Sequence, residues 1–141
     1  MKVFIVDDSP LIRERLREML AEIPGIHLAG QTSQFSGTLE TVLAAKPDVI
    51  ILDVQLSDGS GINILKKLKL SETPLIKIIL TAFPNSIYRR RCMEAGADYF
   101  LDKTVDFDHL AEVITDLARK KIESFNDSGN KASRAQEELS A

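Results

Sequence analysis

The sequence contains one cysteine, Cys92, in 141 residues, so no disulfide can close within the chain. That usage fits a reducing cytoplasm. Long apolar runs are missing as well: no stretch reaches the roughly 18 residues that a membrane helix needs. Residues 1–6 run straight into Asp7 and Asp8 and lack the layout of a secretion signal. Charge of one sign is not in excess. With 18 Lys and Arg against 21 Asp and Glu the net charge is −3, which argues against non-specific nucleic-acid binding. There is no internal repeat. The remainder is 44% hydrophobic and 28% charged, ordinary for a globular protein, and the length suits one domain with its own core.

What is present is organised around Asp53. It closes the run Pro47, Asp48, Val49, Ile50, Ile51, Leu52, Asp53. The four apolar residues before it read as a strand buried on both faces, which leaves the aspartate where the strand exits the core. Residues 2–6 read as strand one, 26–31 as a weaker strand two, 48–53 as strand three, 75–80 as strand four and 99–101 as strand five. Between them lie helical stripes. Ser9 caps and Pro10 opens helix one, which carries Ile12, Leu16, Met19 or Leu20, and Ile23, and reaches about Glu22 before Pro24-Gly25. Phe35, Leu39, Val42 and Leu43 mark helix two. Ile62, Leu65 and Leu68 mark helix three, with Gly59 and Gly61 serving the turn into it. Ile87, Cys92 and Ala95 mark helix four, closed by Gly96. Asp106 caps helix five, whose stripe is Phe107, Leu110, Ile114 and Leu117. Past Lys121 the apolar pattern thins, so residues 1–121 form the expected domain and 122–141 a polar, flexible tail, with a helix continuing over Lys131 to Leu139 as the alternative that would bury little.

Five strands alternating with five helices call for an α/β fold, a doubly wound parallel sheet with helices on both faces. Right-handed crossovers then gather the C-terminal strand ends along one edge, where such folds bind ligands. Asp7 and Asp8 end strand one, Asp53 ends strand three, Thr81 ends strand four, and Lys103 follows strand five. If strands one and three are neighbours, three carboxylates share a small space and need positive compensation. Oxygen ligands suit Mg²⁺. Lys103 adds a second positive charge and Thr81 a hydroxyl. Such a set can stabilise a phosphoryl group passing onto an aspartate nucleophile, so the residues suggest Mg²⁺-dependent formation of an aspartyl phosphate.

Over about residues 1–121 the chain resembles the receiver domains of two-component response regulators, the CheY-like superfamily. The matching motifs are Val6-Asp7-Asp8-Ser9, the Asp53 strand with Asp58-Gly59-Ser60-Gly61, Leu80-Thr81-Ala82, Ala95-Gly96-Ala97, and Lys103. Each is weak alone; five in order and spacing are strong. The resemblance implies a flavodoxin-like, five-stranded sheet of order 2-1-3-4-5. It implies Asp53 as phosphoacceptor, with Asp8, Asp53 and the Gln55 carbonyl binding Mg²⁺ and Asp7 acting through a metal-bound water. Thr81 would bond a phosphoryl oxygen and Lys103 would pair with the phosphate. Phe100 holds the family's aromatic switch position. The implied partners are a histidine kinase or histidine phosphotransfer protein as donor, an output protein on the face of helix four, strand five and helix five, and a second copy as a homodimer. Several departures stand out. Thr104 follows Lys103 where the family usually has proline, which implies a looser loop. Ser57 stands where proline is common. Phe100 lacks a hydroxyl, so switching there works by packing, and a bulky Phe83 implies a long-lived phosphorylated state.

Several residues carry plainer readings. Cys92 reads as a small core residue. His27 and His109 join no metal-ligand spacing. Arg89, Arg90 and Arg91 are usually a solvated helix face, with an acidic docking partner as the sharper alternative. The glycine turn lacks the lysine of a phosphate-binding P-loop. The leading function is a cytoplasmic phosphorylation switch acting through protein contacts, without direct membrane or nucleic-acid binding. It would be no turnover enzyme on external substrates, although it would catalyse its own phosphorylation and dephosphorylation. One alternative is the receiver part of a DNA-binding transcription regulator. Another is an aspartate-nucleophile phosphohydrolase, which wants a second aspartate where Gln55 stands. A flavin-mononucleotide binder would need a Ser/Thr-rich loop where Asp7-Asp8 stands.

Overall fold

Branched and aromatic side chains set the sheet. β1 (Lys2–Val6), β2 (His27–Thr32), β3 (Val49–Leu52), β4 (Ile76–Thr81) and β5 (Tyr99–Asp102) pair in parallel. Their spatial order is β2-β1-β3-β4-β5, the order the resemblance implies. The computed structural model describes residues 1–56 and 59–140, with 125–140 as backbone only. Ser57 and Asp58, singled out above, lie outside the described residues. Just before and after them, Gln55–Leu56 and Gly59–Ser60 pair as a small antiparallel hairpin that the sequence pattern did not announce.

β1 and β3 are central, and their apolar residues are almost fully buried on both faces. That explains why they read as continuous apolar runs rather than as alternating ones. Five helices cover the sheet: α1 (Pro10–Ala21), α2 (Thr38–Ala45), α3 (Gly61–Leu70), α4 (Ser86–Glu94) and α5 (Phe107–Ser140). Val3, Ile5, Val49 and Ile51 pack with Leu16, Leu20, Leu110 and Ile114 of α1 and α5. Phe4, Val6, Ile50 and Leu52 pack on the other side with Val42, Leu65, Leu68 and Cys92 of α2, α3 and α4. The guanidinium of Arg15 lies 4.6 Å from the Phe107 ring centroid, a cation–π contact between α1 and α5.

Helix starts follow the expected chemistry. Ile12 N donates to Ser9 Oγ at 3.3 Å, Ile62 N to Ser60 Oγ at 3.2 Å and Tyr88 N to Asn85 Oδ1 at 2.9 Å. Asp106 behaves differently from the expected cap: its carboxylate accepts from Asp102 N at 2.8 Å and so ties the loop back to β5. α2 begins three residues after Phe35, because Gly37 at φ 74° breaks the backbone there. Ile87 is exposed, not part of the buried stripe of α4. α5 runs past Lys121 to Ser140, so the polar stretch continues the helix. Its residues 131–139 include Lys, Ala, Arg, Gln, Glu and Leu, whose intrinsic helix propensity needs no apolar stripe.

β1 and β2 are not in uniform register. Val3 faces Leu28, but Phe4 faces Gly30, so Ala29 is an extra residue on the edge strand. A Cβ on Gly30 would come within 2.7 Å of the Phe4 ring, so this pairing needs glycine.

Cys92 is fully buried in α4, and burial pushes its thiol up to about 11. Alkylation of the native protein by iodoacetamide is expected to be at least about a hundredfold slower than in denaturant, since only the thiolate reacts and opening is rare. Equal rates in the two conditions would show that α4 does not cover this thiol.

Candidate functional site

Each acidic side chain is placed one step beyond a strand. Asp7 N donates to Thr32 O at 3.1 Å and Asp53 N to Val6 O at 2.9 Å, so both residues extend the sheet ladder before the chain turns away. Lys103 N donates to Thr81 O at 2.9 Å, which fixes the fourth strand end to the lysine. As a result Asp7, Asp8 and Asp53 can each present a carboxylate oxygen within 4.8 Å of the others.

The ammonium of Lys103 sits 2.7 Å from Asp7 Oδ2 and 2.8 Å from Asp53 Oδ2, and all three side chains are at least nine-tenths buried. The remaining oxygens are used: Asp7 Oδ1 accepts from Ser9 N at 2.9 Å and Asp53 Oδ1 from Gln55 N at 3.2 Å. Asp8 is exposed, and among the described residues its carboxylate makes no hydrogen bond or ion pair. Three carboxylates therefore face one ammonium. Burial raises the Asp53 carboxyl, and nearby Asp7 adds to this, against the pull of Lys103. Burial alone would depress the Lys103 ammonium, but its bonds to Asp53 and Asp7 outweigh it and hold the group above the usual lysine range. The surplus negative charge and the hard oxygen donors fit a small divalent cation such as Mg²⁺.

Thr81 is fully buried at the end of β4, and its hydroxyl oxygen accepts from Phe83 N at 3.0 Å. Phe100 is half-buried against the cluster that includes Val54, Leu56 and Cys92. Its ring is thus packed on the face that also carries the acceptor loop. The loop holding Lys103 is not slack without proline. Thr104 donates to Asp102 Oδ1 from its N–H at 2.8 Å and from its hydroxyl at 2.7 Å, and Asp106 N donates to Asp102 O at 3.0 Å. The two Thr104 bonds hold the Asp102 carboxyl below the usual carboxylate range.

Two contacts escaped the sequence. Arg13 Nη1 donates to Asp7 O at 2.7 Å, bracing the first acidic turn from α1. Gln55 Nε2 donates to Tyr88 Oη at 3.3 Å, joining the acceptor loop to α4. Their partners lie 6 and 33 residues away with no motif to mark them, so only the fold reveals them. The glycines also act differently than expected. Gly59 and Gly61 are not at positive φ; a Cβ on Gly61 would overlap the carbonyl oxygen of Asp53, and one on Gly59 would meet the Phe35 ring at 2.6 Å.

A model of the response regulator receiver domain matches residues 3–115. The chain belongs to this family. It is therefore a receiver domain of two-component signalling. A DNA-binding transcriptional activator of Mycobacterium tuberculosis, DevR/DosR, is 33% identical over 118 residues, 83% of this chain and 54% of that protein. A protein-glutamate methylesterase/protein-glutamine glutaminase of Hydrogenovibrio crunogenus is 32% identical over 126 residues, 88% of this chain but 34% of that protein. The chain spans about half the length of the first curated relatives it matches. Among solved structures, the signal receiver domain of the NarL response regulator from M. tuberculosis aligns with TM-score 0.77 at 24% identity, covering 84% of this chain and 95% of that one. CheY in the CheX–CheY–BeF₃⁻–Mg²⁺ complex from Borrelia burgdorferi aligns with TM-score 0.75 at 18% identity, over 83% and 88%. Receiver domains generally bind Mg²⁺ at an acidic pocket, and this receiver brings Asp7, Asp8 and Asp53 together. They interact with histidine kinases and with output or phosphatase partners. Among the described residues no helix is long and apolar enough to cross a membrane.

Proposed function

We propose that Asp53 of this receiver accepts a phosphoryl group from a phosphohistidine of a histidine kinase or a histidine phosphotransfer protein. The carrying observation is the double ion pair of Lys103 with Asp7 and Asp53 at a strand-end aspartate cluster. In the transfer the donor's N–P bond breaks and an Asp53 Oδ–P bond forms. Lys103 stays protonated, releases the aspartate oxygen and pairs with the phosphoryl oxygens. The Thr81 hydroxyl donates to another of those oxygens. Asp8 and Asp53, with the Gln55 carbonyl, would hold Mg²⁺, and Asp7 would act mostly through a metal-bound water. The bound cation supplies neutralising charge for the phosphoryl oxygens. The same set serves the domain's own phosphorylation and dephosphorylation.

The shift of Thr81 toward the phosphoryl group would move the segment after β4, and with it α4. Phe100 repacks in response, and the Gln55–Tyr88 bond supplies the polar link that Phe100 cannot. The output is a changed face of α4, β5 and α5 presented in the cytoplasm to a protein partner or a second copy. A second reading, that this receiver governs a DNA-binding output segment, is favoured by relatives of about twice the matched length, DevR/DosR among them.

Intact mass after incubation with acetyl phosphate and Mg²⁺ tests the proposal. A gain of about 80 Da, one phosphoryl group, is expected in the natural chain and is absent in Asp53→Asn. No gain with acetyl phosphate or with a panel of kinases would overturn it.

A further inference from the structure

The charge of this molecule is unevenly spread. α3 and α4 together carry Lys66, Lys67, Lys69, Arg89, Arg90 and Arg91, all exposed, against the single acid Glu94, in a chain whose net charge is −3. Glu94 is occupied: its carboxylate pairs with Arg90 at 3.2 Å. Between the two helices runs a groove of about 680 Å³. Ile62, Leu70 and Ala95 form its apolar part, and Lys66, Lys69 and Arg91 its cationic rim. Leu70 is 83% exposed, an unusual position for a leucine on a helix whose other leucines are buried. Lys69 Nζ reaches the Glu94 carbonyl at 3.4 Å, so the end of the groove is closed by a lysine that bridges α3 to α4.

We infer that this α3–α4 groove docks an acidic protein segment that carries an apolar side chain for Leu70. It lies on the α3 side of α4, apart from the α4–β5–α5 face and from the aspartate pocket, and stands independently of phosphorylation. Charge complementarity chooses the occupant. Three cations against one lining acid, Glu94, which pairs with Arg90, favour carboxylates, and the exposed leucine favours an apolar contact beside them. A single-stranded nucleic acid would need aromatic side chains on which to stack its bases, and among the described residues none lines the groove.

The test uses the full chain without phosphodonor and a fluorescein-labelled peptide of alternating glutamate and leucine. The peptide of lysine and leucine and an oligothymidylate serve as comparisons. Binding of the acidic peptide should shift backbone amide resonances in residues 62–70 and 91–95, and should weaken as salt rises. The variant Lys66→Glu/Lys69→Glu/Arg91→Glu should lose at least about tenfold in affinity, and Leu70→Ser about threefold to tenfold. All four side chains are exposed, so the fold is expected to survive, and thermal melts check it. If the triple variant does not fold, the wild-type shift map and Leu70→Ser decide. Shifts elsewhere, unchanged affinity in the variants, or tighter binding of oligothymidylate than of the acidic peptide would each overturn the inference.

Discussion

Replacing Lys103 with methionine is expected to destabilise the metal-free protein by about 3 kcal/mol, because two buried carboxylates lose the cation they share. Asp7 and Asp53 side chains are 3% and 7% exposed, so bulk water solvates their charges poorly. Phosphoryl uptake should fall by about a hundredfold or more, the scale of removing one preorganised charge from a transfer site. Asp8→Asn should do the opposite to stability. Asp8 brings a third negative charge within 4.8 Å of the other two and has no counterion of its own, so neutralising it relieves repulsion. The same variant should lose the stabilisation that Mg²⁺ gives the natural chain. Urea unfolding with a chelator, then with excess Mg²⁺, reads both effects. Destabilisation by Asp8→Asn without metal would mean that the pocket is not over-supplied with negative charge.

The second large effect is expected at Gly61, which touches no phosphoryl group. Gly61 N donates to Val54 O at 2.7 Å, and a Cβ there would strike the Asp53 carbonyl and come within 3.0 Å of Val54 Cα. Those atoms are backbone and cannot rotate away. Gly61→Ala must push α3 off the sheet or move the segment that carries the acceptor. The expected cost is about 2 kcal/mol, the range for overpacking a tight site. Because a shift near 1 Å at a reacting group can cost about a hundredfold in rate, phosphoryl uptake should drop far more than stability alone explains. A substituted protein that stays folded and is phosphorylated at the natural rate would refute this close-packing role.

These two residues also show where sequence reading succeeds and where it stops. Asp7, Asp53, Thr81 and Lys103 were legible because strands have a fixed period and parallel strands share an exit edge, so their ends could be counted off along the chain. The sheet order came from the resemblance and from nothing local. The sequence pattern marks Gly61 as a turn residue, yet its role is set by a backbone 8 residues earlier that no pattern brings near. Arg13 and Tyr88 sit in ordinary helices, and their partners are a carbonyl and an amide side chain across loops. The end of α5 is not marked by the apolar stripe, because such a stripe marks burial, whereas residues of high helix propensity extend the helix beyond it.

The extra residue on β2 bears on how this protein behaves in company. β2 is the sheet's outer strand on that side, with one row of backbone donors and acceptors not paired to β1. A straight strand in that place is a template onto which another chain can add, the first step toward aggregation. The register shift at Ala29 bends and twists the strand and so spoils its fit to an incoming partner. Ala29, which lies outside the acidic pocket, thus gives the sheet edge a form of protection that the functional site does not need.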